Sequence, residues 1–109
     1  MNKYKNKKCE YRKIKFDSRK EMMRYIELES LQKQGKISHL QCQAKMKVAV
    51  KDKFVCSLIL DFVYLDSQGK HYEDVKAFDL KTKKYLTTPA FKLKRKLVEA
   101  QYGIKIELF

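Results

Sequence analysis

The chain has 109 residues, enough for one domain with a single modest core. Its 44% hydrophobic content excludes an intrinsically disordered protein, and no apolar run approaches the roughly 20 residues of a membrane span. With 26 basic against 13 acidic residues, the net charge of +13 points to a polyanionic partner, nucleic acid ahead of an anionic membrane surface.

Residues 1–12 read as a basic N-terminal arm, in which Lys3, Lys5, Lys7, Lys8 and Arg12 are interleaved with Tyr4 and Tyr11. Such a segment suits backbone contacts with nucleic acid or a plain solvated tail. No apolar segment follows it, so it is not a secretory signal. Residues 13–109 read as a single domain, without internal repeats or a shift in composition. Cys9, Cys42 and Cys56 are odd in number and lack paired zinc-ligand spacing, which predicts reduced thiols in a cytoplasmic protein.

Lys13-Ile-Lys-Phe16 alternates as a short strand. Ser18 followed by Glu21 matches a capping box and opens a helix to about Gln34, with Gly35 as its stop. At about 100° per residue Glu21 shares the helical arc of Tyr25, Leu28 and Leu31, so it is either a cap alone or a cap that also reaches a site.

Ile37–Val50 is the next strand, with Leu40, Cys42, Ala44, Met46 and Val48 on one face. Lys51-Asp-Lys53 turns into a strand over Phe54–Leu65. The run Cys56-Ser-Leu-Ile-Leu60 suits a central strand covered on both faces, and Asp61 interrupts it. A buried lone carboxylate costs several kcal/mol, so Asp61 must be paired, metal-bound or at a rim. Ser67-Gln-Gly-Lys70 supplies a turn and His71–Phe78 runs back. A two-residue Gln68-Gly69 loop puts Asp61 opposite Lys76, with Asp74 as diagonal neighbour on the same face. Two carboxylates and an ammonium on one patch suit a hard, oxygen-seeking cation, Mg²⁺ or Mn²⁺, and also suit an exposed ladder of ion pairs. Glu73 points the other way. His39 and His71 are isolated and read as structural.

Asp79–Thr87 is a polar connection. Thr88-Pro89 opens a second helix, which runs to about Tyr102 and stops at Gly103. Ala90, Leu93, Leu97, Val98 and Ala100 form its apolar side, with Phe91 and Tyr102 at the margin. Lys94 falls inside that arc, where it snorkels or reaches a site. Lys92, Arg95 and Lys96 face away as a phosphate-binding stripe or a solvated face. Ile104–Leu108 closes the chain as a strand. Two helices on a mixed sheet, an α/β (α+β) arrangement, bury these elements.

Ser18-x-x-Glu21, Asp61 and Asp74-x-Lys76, followed by a basic helix, resemble the PD-(D/E)XK nuclease superfamily. Ile14-Lys-Phe-Asp-Ser18, Leu60-Asp-Phe-Val-Tyr64, Glu73-Asp-Val-Lys76, Lys94-Arg-Lys-Leu97 and Tyr102-Gly-Ile104 further resemble a small phage- and prophage-encoded, resolvase-like family within it. The motif's proline is replaced by Leu60, and Ala77 stands where relatives often carry Gly. The resemblance implies a restriction-endonuclease-like αβββαβ core. It implies that Asp61 and Asp74 bind Mg²⁺ or Mn²⁺, that Glu21 completes the metal site, and that Lys76 is the catalytic lysine. It also implies that Lys94 is a supplementary basic residue beside Lys92, Arg95 and Lys96 on a nucleic-acid-binding helix.

The expectation is therefore a metal-dependent DNA endonuclease of phage DNA replication, recombination or processing. It would act in the bacterial cytoplasm without a membrane, as a homodimer when both strands are cut. Two rival readings remain. One is a non-catalytic nucleic-acid-binding protein of the same fold. The other is a phage regulatory protein that binds a host replication or repair factor.

Overall fold

The structure, a computed structural model, describes residues 8–109. The arm expected over 1–12 lies outside the described residues as far as residue 7. Its end does not read as a tail: β1 (Cys9–Tyr11) pairs antiparallel with β2 (Ile14–Phe16). Arg12 and Lys13 form the turn with φ of 50° and 66°, the left-handed pair that a two-residue hairpin needs. Phe16 is thereby set into the core, 1% exposed.

Helix α1 (Arg19–Lys33) starts where the Ser18 hydroxyl accepts from the Glu21 N–H at 3.1 Å, and ends before Gly35 at φ 77°. β3 (Ser38–Val50) and β4 (Lys53–Asp66) form a long hairpin, β5 (Gly69–Asp74) returns beside β4, and β8 (Ile106–Leu108) lies parallel to β5. The four-stranded sheet has the order β3-β4-β5-β8. The expected polar connection instead holds a minimal hairpin, β6 (Phe78–Asp79) with β7 (Lys84–Tyr85), closed by the edge-on packing of Phe78 and Tyr85 rings. Helix α2 (Pro89–Tyr102) is capped by Thr88 and terminated by Gly103 at φ 64°. The fold is mixed α+β, a mixed sheet with two helices packed on it. No helix among the described residues is long and apolar enough to cross a membrane.

The two helices serve two separate cores. Phe16, Leu28, Ile37, Phe62 and Tyr64 pack on the α1 side, whereas Val48, Leu58, Leu60, Phe91, Val98 and Ile106 pack on the α2 side. Leu60 and Phe62 are both fully buried yet belong to different cores, although residues two apart in a regular strand share a face. The ladder explains this. It pairs Leu60 with Ala44 and Phe62 with Cys42 but skips Asp61 and Gln43, and Gln43 has φ 54°. The left-handed Gln43 marks the rung at which the side chains change sides, without a shift in register.

The single apolar stripe expected on β3 is therefore split. Leu40 and Cys42 join the α1 core, while Met46 and Val48 join the α2 core. The first half of β4 is covered on one face only, because α1 reaches no further than the switch; Phe54, Val55 and Ile59 are 60%, 52% and 56% exposed. On α2, Phe91 and Val98 are buried and Leu93 is 61% exposed, so the buried face is turned towards the phenyl ring, the larger apolar surface to remove from water.

Candidate active site

The β4–β5 turn sets the register of the site. Asp66 pairs with Gly69, so the loop is Ser67-Gln68 rather than Gln68-Gly69. The Asp66 carboxylate accepts from the Gln68 N–H at 2.8 Å, and Gly69 takes φ 125°. Phe62 consequently faces Glu73, and one step further Asp61 comes level with Asp74, not with Lys76 as the longer register required. A slip of two residues preserves the face, so Asp61, Asp74 and Lys76 still converge.

The Asp61 N–H donates to Asp74 Oδ1 at 3.3 Å, and the Val75 N–H donates to Asp61 Oδ2 at 2.7 Å. That second bond engages the donor just past β5, which ends at Asp74, four residues before the expected Phe78. Lys76 Nζ lies 2.9 Å from Asp74 Oδ2 and 4.1 Å from the Phe91 ring centroid. The Lys76 backbone is held at both ends: its N–H donates to the Phe109 carbonyl at 3.0 Å, and its own carbonyl accepts from Lys20 Nζ at 2.7 Å.

Glu21 enters from the first turn of α1, 5% exposed. Its side chain does not close the reciprocal half of a capping box at Ser18. It turns instead towards the Asp17 backbone and the Asp61 carboxyl. Burial and then the Asp17 charge push the Glu21 pKa up, with Asp74 adding to the rise. Burial, followed by the charge of Asp74, pushes Asp61 up to about 8. A carboxyl that keeps its proton near neutral pH is what a hydrogen bond between two acids requires.

Glu21, Asp61, Asp74 and Lys76 line one cleft of about 610 Å³, bounded also by Gln43, Ile59 and Phe91. Among the described residues no group of three or more His, Cys, Asp or Glu side chains forms a cation-binding cluster. The geometry gives a reason: one oxygen of Asp61 is taken by Val75 and one of Asp74 by Lys76. The Asp61–Asp74 pair nonetheless has the donor chemistry for Mg²⁺, which is commonly held by one or two carboxylates together with waters and substrate phosphates.

The α2 cations stand apart from this cleft. Arg95 donates to the Ile106 carbonyl at 2.6 Å and lies 3.5 Å from Glu99, so it ties α2 to β8 rather than offering a free phosphate contact. Lys94 is half-buried and does not line the cleft, while Lys92 and Lys96 are exposed. Glu73 points away from the site, into a pair with Arg24. Gln43 and Lys20 are functional neighbours that sequence reasoning missed. Gln43 sits at the skipped rung opposite Asp61, and Lys20 reaches Lys76 across 56 residues of sequence. Neither relationship leaves a local signal. His71 is not isolated either: it lies 2.8 Å from Asp66, across the β4–β5 turn, and 3.2 Å from Glu107, which the parallel β5–β8 pairing brings alongside. Cys9, Cys42 and Cys56 form no disulfide.

The chain belongs to the family described as a protein of unknown function, DUF1064, whose model matches residues 1–108. No curated protein and no solved structure matches it.

Proposed function

We propose that the cleft is the active site of a metal-dependent DNA endonuclease. The observation that carries this reading is the placement of Lys76 Nζ 2.9 Å from Asp74 Oδ2, with Asp61 hydrogen-bonded to Asp74 and Glu21 against Asp61. Three acids and a lysine in one cleft, in a chain of net charge +13, are the groups that phosphodiester hydrolysis needs beside a polyanion. The same four residues carry the resemblance to the PD-(D/E)XK nucleases.

Asp61 and Asp74 would hold Mg²⁺ or Mn²⁺, which supplies Lewis-acid polarisation of a phosphoryl oxygen and a lowered pKa for water. Asp74 orients Lys76, and the Phe91 ring backs the ammonium on its other side. Lys76 directs the attacking water in line with the leaving oxygen and offsets the charge that builds on the phosphoryl group. Lys20 keeps the Lys76 backbone in place. Glu21 stays behind Asp61 and holds its carboxyl against the α1 terminus. The reading extends to a phage or prophage enzyme of DNA replication, recombination or processing, working in the bacterial cytoplasm and dimeric where both strands are cut.

A second reading, a nucleic-acid-binding protein without catalysis, draws on the closed Asp74–Lys76 ion pair, which satisfies both groups within the chain. Nicking of supercoiled plasmid and branched DNA with Mg²⁺ or Mn²⁺ separates the two. Cleavage that is lost in Asp74→Ala and in Lys76→Ala supports the nuclease. Cleavage unchanged by both substitutions sinks the site assignment, and binding without cleavage under either cation favours the second reading.

A further inference from the structure

The β3–β4 hairpin carries a face that nothing among the described residues covers. Val55 and Ile59 are more than half exposed on it, while Leu58 and Leu60, pointing the other way, are buried against α2. Across the ladder Ile59 pairs with Lys45 and Ser57 with Lys47, and directly opposed residues share a face. Both lysines are exposed. Ile59 also lines the catalytic cleft together with Gln43 and Asp61. The open face is thus one surface, running from the carboxylates outward to the turn at Lys51-Asp52.

We infer that this face is the track on which double-stranded DNA lies when its phosphodiester enters the cleft, an inference that rests on the nuclease reading for its second half. Between Lys45 and Lys53 the hairpin holds Lys45, Lys47, Lys51 and Lys53 against the single acid Asp52. From Asp61 to Lys53 the strand extends about 27 Å, at about 3.4 Å per residue. That is close to eight base-pair steps of duplex, each of which advances about 3.4 Å along the helix axis. A two-stranded ribbon is of a size to enter a major groove, with lysines on the phosphates and small apolar residues between them.

The track is also braced. The Gln101 side chain donates to the Lys47 carbonyl and accepts from the Ala49 N–H, both at 2.9 Å, and the Tyr102 hydroxyl donates to the Lys47 carbonyl at 2.8 Å. Lysines on an edge strand also discourage edge pairing. What singles these out is that their face is continuous with the acids. A second copy of the chain is a poor occupant, because a two-fold contact sets the same patch against itself and brings lysine to lysine. The α2 helix is the weaker track, since Arg95 is engaged with Ile106 and Glu99.

The test is fluorescence anisotropy with a labelled duplex longer than the hairpin, in EDTA and in parallel with Ca²⁺, over a salt series. Lys45→Glu with Lys47→Glu is compared with Lys92→Glu with Lys96→Glu, each checked for a native circular dichroism spectrum. The hairpin variant is expected to bind more than about tenfold more weakly and to lower the log–log salt slope by about 2, while the α2 variant stays within about twofold. Absence of duplex binding by the wild type, or a hairpin variant within about twofold of it, overturns the inference. So does sedimentation showing a dimer that the hairpin variant dissociates while DNA binding is unchanged. Plasmid nicking by the same proteins tells the two readings apart. Binding lost with the hairpin lysines in a protein that never nicks retains the track and removes the nuclease. Nicking and binding both unimpaired in the hairpin variant do the reverse.

Discussion

The Asp61 N–H donates to Asp74 Oδ1 over 3.3 Å, and that bond locks two acids of like charge side by side at the point where the β3–β4 ladder skips a rung. The arrangement costs stability, because burial and mutual repulsion both oppose ionisation. Such a cost is retained where a site needs it.

Replacing Asp61 by Asn removes that cost, and the direction in pH follows from linkage. Asp61 has a folded pKa pushed up to about 8 from an ordinary 3.8. Between those values the unfolded chain has released the proton and the folded chain still holds it. The wild type therefore loses stability as pH rises through that window, and the neutral amide does not. The melting temperature of Asp61→Asn is expected to match or exceed that of wild type near pH 4, and the gap should widen towards pH 8. Thermal melts at several pH values check this. A gap that is constant or narrows with pH contradicts the assignment of the raised carboxyl to Asp61.

A divalent cation is expected to relieve the same repulsion. At about 100 times its Kd, a ligand that binds only the folded chain stabilises it by about 2.7 kcal/mol. Mg²⁺ or Mn²⁺ should raise the melting temperature of the wild type, and Asp61→Asn or Asp74→Asn should abolish most of that rise. Glu21→Gln should reduce it less, since Glu21 stands behind Asp61. An equal rise in the wild type and both Asp variants places the cation elsewhere.

Helix ends, the two long strands and the acids were legible because each rests on local chemistry. Ser18, Gly35, Thr88-Pro89 and Gly103 mark the observed helix limits. Asp61 stood out because it interrupts an apolar run. The turn register was not legible, because Ser67-Gln68 and Gln68-Gly69 both make plausible two-residue loops and only the Asp66 side chain's bond to Gln68 selects the first. The face switch was hidden too. The run through Leu60 read as a strand covered on both faces, and the left-handed residue at which Leu58 and Leu60 part from Phe62 and Tyr64, Gln43, lies on the other strand and is not a glycine. The partners of His71, Lys20 and Glu73 depend on topology rather than spacing.

His71 should behave as a pH-dependent clasp between β5 and its neighbours. Burial pulls its pKa down, but the hydrogen bonds to Asp66 and Glu107 outweigh that and leave it raised above 6.5. The imidazolium thus contributes stability that is fully present below the unfolded value and is lost as pH rises through the folded one. Against His71→Gln, the wild type should melt higher by a few degrees below pH 6.5, and the advantage should fade as pH rises through the raised folded value. An advantage that grows with pH contradicts this reading.

Glu73 supplies the strongest prediction about stability. Its carboxylate receives Arg24 Nε at 2.9 Å and Arg24 Nη2 at 2.6 Å, and the Tyr64 hydroxyl donates to it as well. Glu73 is 3% exposed and the Arg24 side chain 11%, with the guanidinium 4.0 Å from the Phe109 ring centroid. The pair joins α1 to β5, one residue from Asp74 and one turn from Glu21, so it also sets the distance between the two acids' elements. Removing Arg24 strands the Glu73 carboxylate in a dry site, a loss of about 3–5 kcal/mol, whereas removing Glu73 costs less because Arg24 keeps its ion pair with Glu27. Arg24→Ala is expected to lower urea-unfolding stability by that order, and Glu73→Ala by less. Arg24→Met combined with Glu73→Leu should recover most of it, since the exchange removes both charges and refills the volume. In a double-mutant cycle built from Arg24→Met, Glu73→Leu and their combination, the coupling energy should exceed about 1 kcal/mol. Additive losses, with no recovery in the double variant, would show that the pair acts only as packing. On the nuclease reading, cleavage by the double variant should fall although no group in the cleft has changed, because α1 then carries Glu21 to Asp61 without its anchor.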